Sequence, residues 1–192
     1  MLNRFHGAHS FLHEDGRDMS VSGLSQVTDG LFLSNAAAAS RPTLLTSHHI
    51  TCVINLSLER RTPVTSDMEY LHFPVADQPE TALSDLFDTI SHKIYELEAS
   101  GGRTLIHCAA GISRAPTLAL AYLMKHRGVT LLQAHAHLRS RRPIIRPNIG
   151  FWRQLVAYEL DLFGKNTVRI IESPVGPIPD IYEAETKNMV PF

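Results

Sequence analysis

Hydrophobic positions along the chain fall into short runs that alternate with helical stripes. Leu24 to Leu33 (LSQVTDGLFL) reads as two short strands around a Thr28-Asp29-Gly30 turn. The alanines 36–39, then Pro42 to His48, suggest a short helix. ITCVINLS (50–57) is apolar and β-branched over strand length, which predicts a strand buried on both faces. The polar stretch ERRTPVTSD that follows reads as loop, and MEYLHFPV (68–75) as another strand, ending at an Asp77-Gln78-Pro79 turn.

From Leu83 to Ala99 the period changes: Leu83, Leu86, Phe87, Ile90, Ile94 and Leu97 recur at helical spacing, and Ser100-Gly101-Gly102 ends the run. RTLIHC (103–108) predicts a short buried strand. A helix follows from Ala115, carried by Leu118, Leu120, Ala121, Leu123 and Met124, and stops near Gly128. Thr130 is an N-cap for a helix over Leu131–Arg139, and Asn148 can cap a last helix through FWRQLVAYELDLF. Strands that alternate with helices indicate an α/β fold, with a central, mainly parallel sheet flanked by helices in a single domain.

From Lys165 onward there are four prolines, one strand-like stretch (TVRII, 167–171) and then extended chain. This extension is expected to pack back on the body as an extra strand. Residues 1–18 carry Glu14, Asp15 and Asp18 and no apolar core. They read as a disordered tail rather than a secretory signal or transit peptide. The organisation expected is therefore a tail over 1–18, a folded domain over 19–164 and an extension over 165–192.

The 192 residues suffice for a substantial core, and 44% hydrophobic with 19% charged residues is ordinary for a globular domain. A net charge of -1 argues against a generally nucleic-acid-binding surface. No apolar run approaches the roughly 18 residues of a membrane span. Cys52 and Cys108 are the two cysteines, 56 positions apart. They form neither a disulfide framework nor a CxxC metal pair, and a reducing compartment suits them, cytoplasm by default with the nucleus as the other option. Cys52, inside ITCVIN, is expected to be structural.

Cys108 stands differently. In an open parallel sheet, ligands bind beyond the carboxyl ends of strands, where loops feed helix N-termini. Cys108 to Arg114 (C-A-A-G-I-S-R) is such a loop. Its successive backbone N–H groups, with Gly111 permitting a sharp turn, can form an anion nest. The helix that follows adds free N–H groups and the positive end of its dipole. Arg114 supplies a fork matched to two phosphate oxygens. The same field favours a Cys108 thiolate, poised to attack a phosphoryl group in line. No metal or other cofactor is called for.

HCAAGISR (107–114) resembles the H-C-x5-R loop of the cysteine-based protein phosphatases. LSQVTDGLFLSN, INLS, FPVADQPE, GRTLIHCAAGISR, LALAYLMK and RRPIIRPNIGFWRQL are similar to stretches of the atypical, stand-alone dual-specificity phosphatases, and FGKNTV with SPVGPIPDIYE to the C-terminal stretch of one small subgroup. The resemblance covers about residues 21–185. It implies a protein-tyrosine-phosphatase-like fold and a shallow pocket for phosphotyrosine and phosphoserine or phosphothreonine. The partners it implies are phosphoproteins, with signalling kinases as candidates. It makes Cys108 the nucleophile and Asp77, 31 positions earlier, the general acid, with Asp85 and Asp88 as rivals. Arg114 and the backbone of Ala109, Ala110, Gly111, Ile112 and Ser113 would bind phosphate. His107 would shape the loop from the backbone side, and Asn148 would either position the loop or simply cap its helix.

The family usually follows the arginine with Ser or Thr, whose hydroxyl assists departure of the cysteine sulfur; here the residue is Ala115. The expectation is a phosphocysteine that forms but breaks down slowly. Two alternatives remain open, a phospho-binding pseudophosphatase and a phosphatase for a non-protein phosphate ester. Arg139, Arg141, Arg142 and Arg146 read as a basic cluster, either a solvated face or a rim that favours acidic phosphopeptides or phosphoinositides.

Overall fold

A computed structural model of the chain describes residues 23–59, 66–187 and 189. The tail expected over 1–18, and most of the loop read into ERRTPVTSD, lie outside these residues. The fold is built on a five-stranded sheet, β1 (Leu24–Gln26), β2 (Leu31–Asn35), β3 (Cys52–Asn55), β4 (Glu69–His72) and β5 (Thr104–Cys108), in the order β1-β2-β5-β3-β4. β2, β5, β3 and β4 are parallel, and β1 alone runs antiparallel, beside β2. The mainly parallel sheet inferred from the alternation is thus present, and the Thr28-Asp29-Gly30 turn does join two strands.

Period-two burial assigns the two faces. Leu31, Leu33, Cys52, Ile54, Ile106 and Cys108 join a core with α3 (Phe87–Ala99), α4 (Arg114–Arg127), α5 (Leu131–Arg141) and α6 (Ile149–Phe163). Phe32, Val53 and Leu105 face the other way, against α1 (Ala36–Ala39) and α2 (Pro42–Ser47). The short helix expected after residue 36 is therefore two, separated where Pro42 opens the second. Leu118 to Met124 of α4 are all buried, as befits a helix apolar on every side and enclosed by the sheet and its neighbours. Gly128 closes α4 in the left-handed conformation, and Thr130 with Gln133 forms a capping box for α5. The stripe from Leu83 begins as a 3-10 turn (Leu83–Leu86) before α3 takes over.

The C-terminal extension does not add a strand to the main sheet. It forms its own antiparallel hairpin, β6 (Ile170–Ser173) and β7 (Gly176–Pro179). The strand read at 167–171 is shifted, because Ser173-Pro174-Val175-Gly176 supplies a turn. Ser173 Oγ donates to the Gly176 carbonyl at 2.7 Å, and Gly176 sits at φ +96°. Val168, Ile178 and Tyr182 from this segment are buried in the core beneath α5 and α6. Glu159, fully buried, fastens the segment's start: it accepts from Thr167 N at 2.8 Å, from Thr167 Oγ1 at 2.6 Å and from Leu131 N at 2.7 Å. The carboxylate thus lies at the N-terminus of α5, where the helix dipole favours negative charge. A 3-10 turn (Asp180–Tyr182) and α7 (Glu183–Thr186) follow the hairpin.

Candidate active site

β5 is the central strand, flanked on both sides by parallel neighbours, and Cys108 is its last residue. Cys108 is 1% exposed, whereas Ala109 and Ala110 are open to solvent. The thiol therefore lies at the floor of a loop whose rim is small and uncharged.

The carbonyls of that loop are all bonded away from it. Ala109 O accepts from Ala36 N at 3.0 Å, Ile112 O from Arg146 N at 2.7 Å and Ser113 O from Thr117 N at 3.0 Å. Gly111 O and Ala110 O accept from Arg142 Nε and Nη2 at 2.8 and 3.2 Å. In a trans peptide the N–H points opposite the carbonyl it is bonded to. Tying back the carbonyls of 109–113 therefore turns the amides of 110–114 the other way, into one concave nest. Gly111 makes the turn at φ +66°, and a Cβ there would come within 2.5 Å of Ser34 O and 2.7 Å of Arg142 Nη2.

Arg142 thus leaves the basic cluster expected on the surface. It is 7% exposed and braces the loop from behind, with Nη1 reaching Ser25 Oγ at 3.4 Å. Burial pulls its guanidinium below the ordinary arginine range, and the charge of Cys108 works the other way. Two more members of that cluster are also engaged. Glu185 takes Arg139 at 2.7 Å and Arg146 at 2.9 Å, with the ring of Tyr182 beneath both guanidiniums.

Arg114, 8% exposed, opens α4 and anchors through Nη1 to the carbonyls of Val75 at 2.9 Å and Leu56 at 3.4 Å. Its Nε faces Asp77 Oδ2 at 3.5 Å. Asp77 lies beside the loop. Its Oδ1 accepts from Ser113 Oγ at 2.7 Å and from Asn148 Nδ2 at 2.9 Å. Ser113 thus links the loop to Asp77, and its Oγ accepts from Asn148 N at 3.1 Å. Asn148 Oδ1 also caps α6 by accepting from Phe151 N at 3.0 Å, so the residue touches both Asp77 and its own helix. Gly150 lets this first turn meet the loop that carries Asp77: a Cβ there would lie 1.9 Å from the Pro79 carbonyl.

The rival carboxylates stand elsewhere. Asp85 lies in the exposed 3-10 turn, and Asp88 binds Lys125 and Tyr158 at 2.6 Å, donors that hold its carboxyl below the usual range. His107 is fully buried in β5; burial pushes its pKa down to about 4, with a hydrogen bond to the Cys108 backbone opposing. It is a neutral imidazole at neutral pH. Ala115 is fully buried at the second position of α4. Among the described residues no cluster of three or more His, Cys, Asp or Glu could hold a metal ion.

Sequence reasoning missed Arg142 as the loop's brace and Gly150 as the contact to the loop that carries Asp77. No spacing rule points to either residue, since each depends on which helix returns beside the loop.

A family model described as the catalytic domain of dual specificity phosphatases matches residues 31–161. The chain is 56% identical over 173 residues to Dual specificity protein phosphatase 18 of Rattus norvegicus, covering 90% of this chain and 85% of that one. It is 54% identical over 176 residues to the Homo sapiens protein of the same name, covering 92% and 94%. Among solved structures, a mouse putative dual specificity phosphatase complexed with zinc tungstate superposes with a TM-score of 0.72 at 32% identity, over 81% of this chain and 96% of that one.

Proposed function

The chain belongs to the dual specificity phosphatases and, on that premise, we propose that Cys108 is the nucleophile, Arg114 with the 109–114 backbone the phosphate site, and Asp77 the general acid. The overall reaction, removal of phosphate from phosphotyrosine and from phosphoserine or phosphothreonine in proteins, follows from membership itself. In the first step the Cys108 thiolate forms an S–P bond while the P–O bond to the side chain breaks, and Asp77 delivers a proton to the departing oxygen. In the second, water forms an O–P bond as the S–P bond breaks, Asp77 takes the water's proton, and inorganic phosphate departs from the restored Cys108 thiolate. Arg114 and the five outward-turned amides stabilise the equatorial oxygens through both steps.

One observation carries this reading: the tied carbonyls of 109–113, which leave an amide nest directly after Cys108. The mouse neighbour is a complex with zinc tungstate, and tungstate is a tetrahedral oxyanion of the kind such an amide nest would hold. Ala115 lacks a hydroxyl to donate to sulfur, so breakdown of phosphocysteine is the slower half-reaction in this proposal. Phosphorylated signalling kinases are among the substrates it accommodates.

The test is rapid-quench trapping during hydrolysis of an aryl phosphate. Phosphoenzyme accumulating in the native chain, with neither turnover nor phosphoenzyme in Cys108→Ser, is the expected result. A chain that binds phosphopeptide but never forms phosphoenzyme is a binding module, and this assignment falls.

A further inference from the structure

Beside the acid network lies a groove of about 280 Å³. Asn148, the cap of α6, with Ile149 and Trp152 of the helix form one side, and Pro177, Pro179 and Tyr182 the other. It is smaller than the about 300–1,000 Å³ of small-molecule sites, yet roomy enough for one bulky side chain. Its far wall belongs to residues 177–182, beyond the point at residue 161 where the family model ends. The groove is thus an addition to the shared catalytic body.

We propose that this groove is a substrate subsite that seats one apolar side chain of the phosphoprotein, a few residues from the phosphorylated position. The inference rests on the phosphatase reading above and adds a specificity element to it. Continuity with the active site argues for the substrate as occupant. Asn148 lines the groove and also holds Asp77 at 2.9 Å, while Arg146, at the groove's edge, holds the Ile112 carbonyl of the loop through its main chain at 2.7 Å. Because Asn148 both bonds Asp77 and lines the groove, a polypeptide that continues past Asp77 meets the groove next, each extended residue adding about 3.3 Å of reach.

The chemistry of the occupant follows from the lining. Three prolines, two isoleucines and two aromatic rings supply apolar surface. The cation nearest to it, Arg146, is paired with Glu185 and lies 4.6 Å above the centre of the Tyr182 ring. With that charge offset, the groove selects for apolar area rather than for acidic residues.

The experiment walks a single Leu through positions −4 to +4 of an otherwise alanine-based phosphotyrosine peptide and measures kcat/KM. The native chain is expected to favour Leu over Ala by about tenfold in one register, as burial of a side chain in a preformed pocket allows. Pro177→Asp puts charge on the hairpin wall and Ile149→Ser strips the helix wall. Both should bring the preference below about twofold while hydrolysis of an aryl phosphate, which cannot reach the groove, is unchanged. Ile149→Ser keeps the test valid if Pro177→Asp unravels the hairpin. No preferred register in the native chain, or a preference that survives both variants, overturns the subsite. Failure to hydrolyse the aryl phosphate at all would instead overturn the catalytic reading.

Discussion

Arg114 Nε stands 3.5 Å from Asp77 Oδ2, so the proposed phosphate clamp and the proposed proton donor face each other directly. A bound phosphate competes with Asp77 for that guanidinium. Ser113 and Asn148 hold the other carboxylate oxygen, Oδ1, so Oδ2 is the oxygen left to face the leaving group.

Asp77→Asn keeps the shape and removes the proton. An alkyl phosphate such as phosphoserine leaves as a strongly basic oxygen, and its turnover should fall by about 10²–10⁴-fold. An aryl phosphate with an acidic phenol should fall far less. The check is kcat/KM across a series of leaving groups; parallel losses would remove the acid role.

Ala115→Ser supplies a donor at the start of α4. One hydrogen bond to the departing thiolate, about 1.4 kcal/mol, corresponds to about a tenfold faster breakdown. Turnover should rise and the trapped phosphoenzyme should shrink. An unchanged steady-state level would mean that sulfur departure is not the slow step.

Arg142→Met keeps much of the buried stem but releases the carbonyls of Ala110 and Gly111. Lost charge-assisted hydrogen bonds should cost about 1.5–3 kcal/mol of stability, read by urea unfolding. Inhibition by vanadate should weaken by at least about tenfold, because freed carbonyls can turn toward the anion. Tight vanadate binding in a destabilised variant would reduce Arg142 to a packing role.

His107 and His135 are both buried, and burial lowers each pKa to about 4. The unfolded chain takes up these protons near pH 6.5 and the folded chain near pH 4, so acid favours unfolding. Stability should be level above pH 6.5 and fall as pH drops from 6.5 towards 4, by about 2 kcal/mol per histidine at pH 5. His135→Gln should flatten the profile between those pH values. An unaltered slope would assign the acid sensitivity to other groups.

Period and punctuation were enough to read the sheet and its helices. Strand β3 is buried at every position and apolar up to Asn55 because both faces are covered, and Gly128 and Thr130 mark where α4 ends and α5 begins. The Cys108–Arg114 loop was equally legible, since its residue types state their chemistry locally. Arg142 was not. Its place behind the loop depends on α5 ending beside Gly111, 31 positions away in the chain, and a run of arginines reads the same whether one of them is buried or none. The hairpin was missed for a simpler reason: Ser173 to Gly176 is a turn, but the prolines around it masked the second strand.

The register of β3 against β5 has a redox consequence. Cys52 lies opposite Thr104, four residues down the strand from Cys108, or about 13 Å at about 3.3 Å per residue. Bridgeable cysteines have Cα atoms within about 7 Å. Burial also pushes the Cys52 thiol up to about 12, so it is not a ready nucleophile. A Cys108 oxidised by peroxide to the sulfenic acid therefore has no second thiol in its own chain to shelter it as a disulfide. Its rescue falls to a backbone amide or to a thiol from solution, and further peroxide competes with both for an irreversible sulfinic acid.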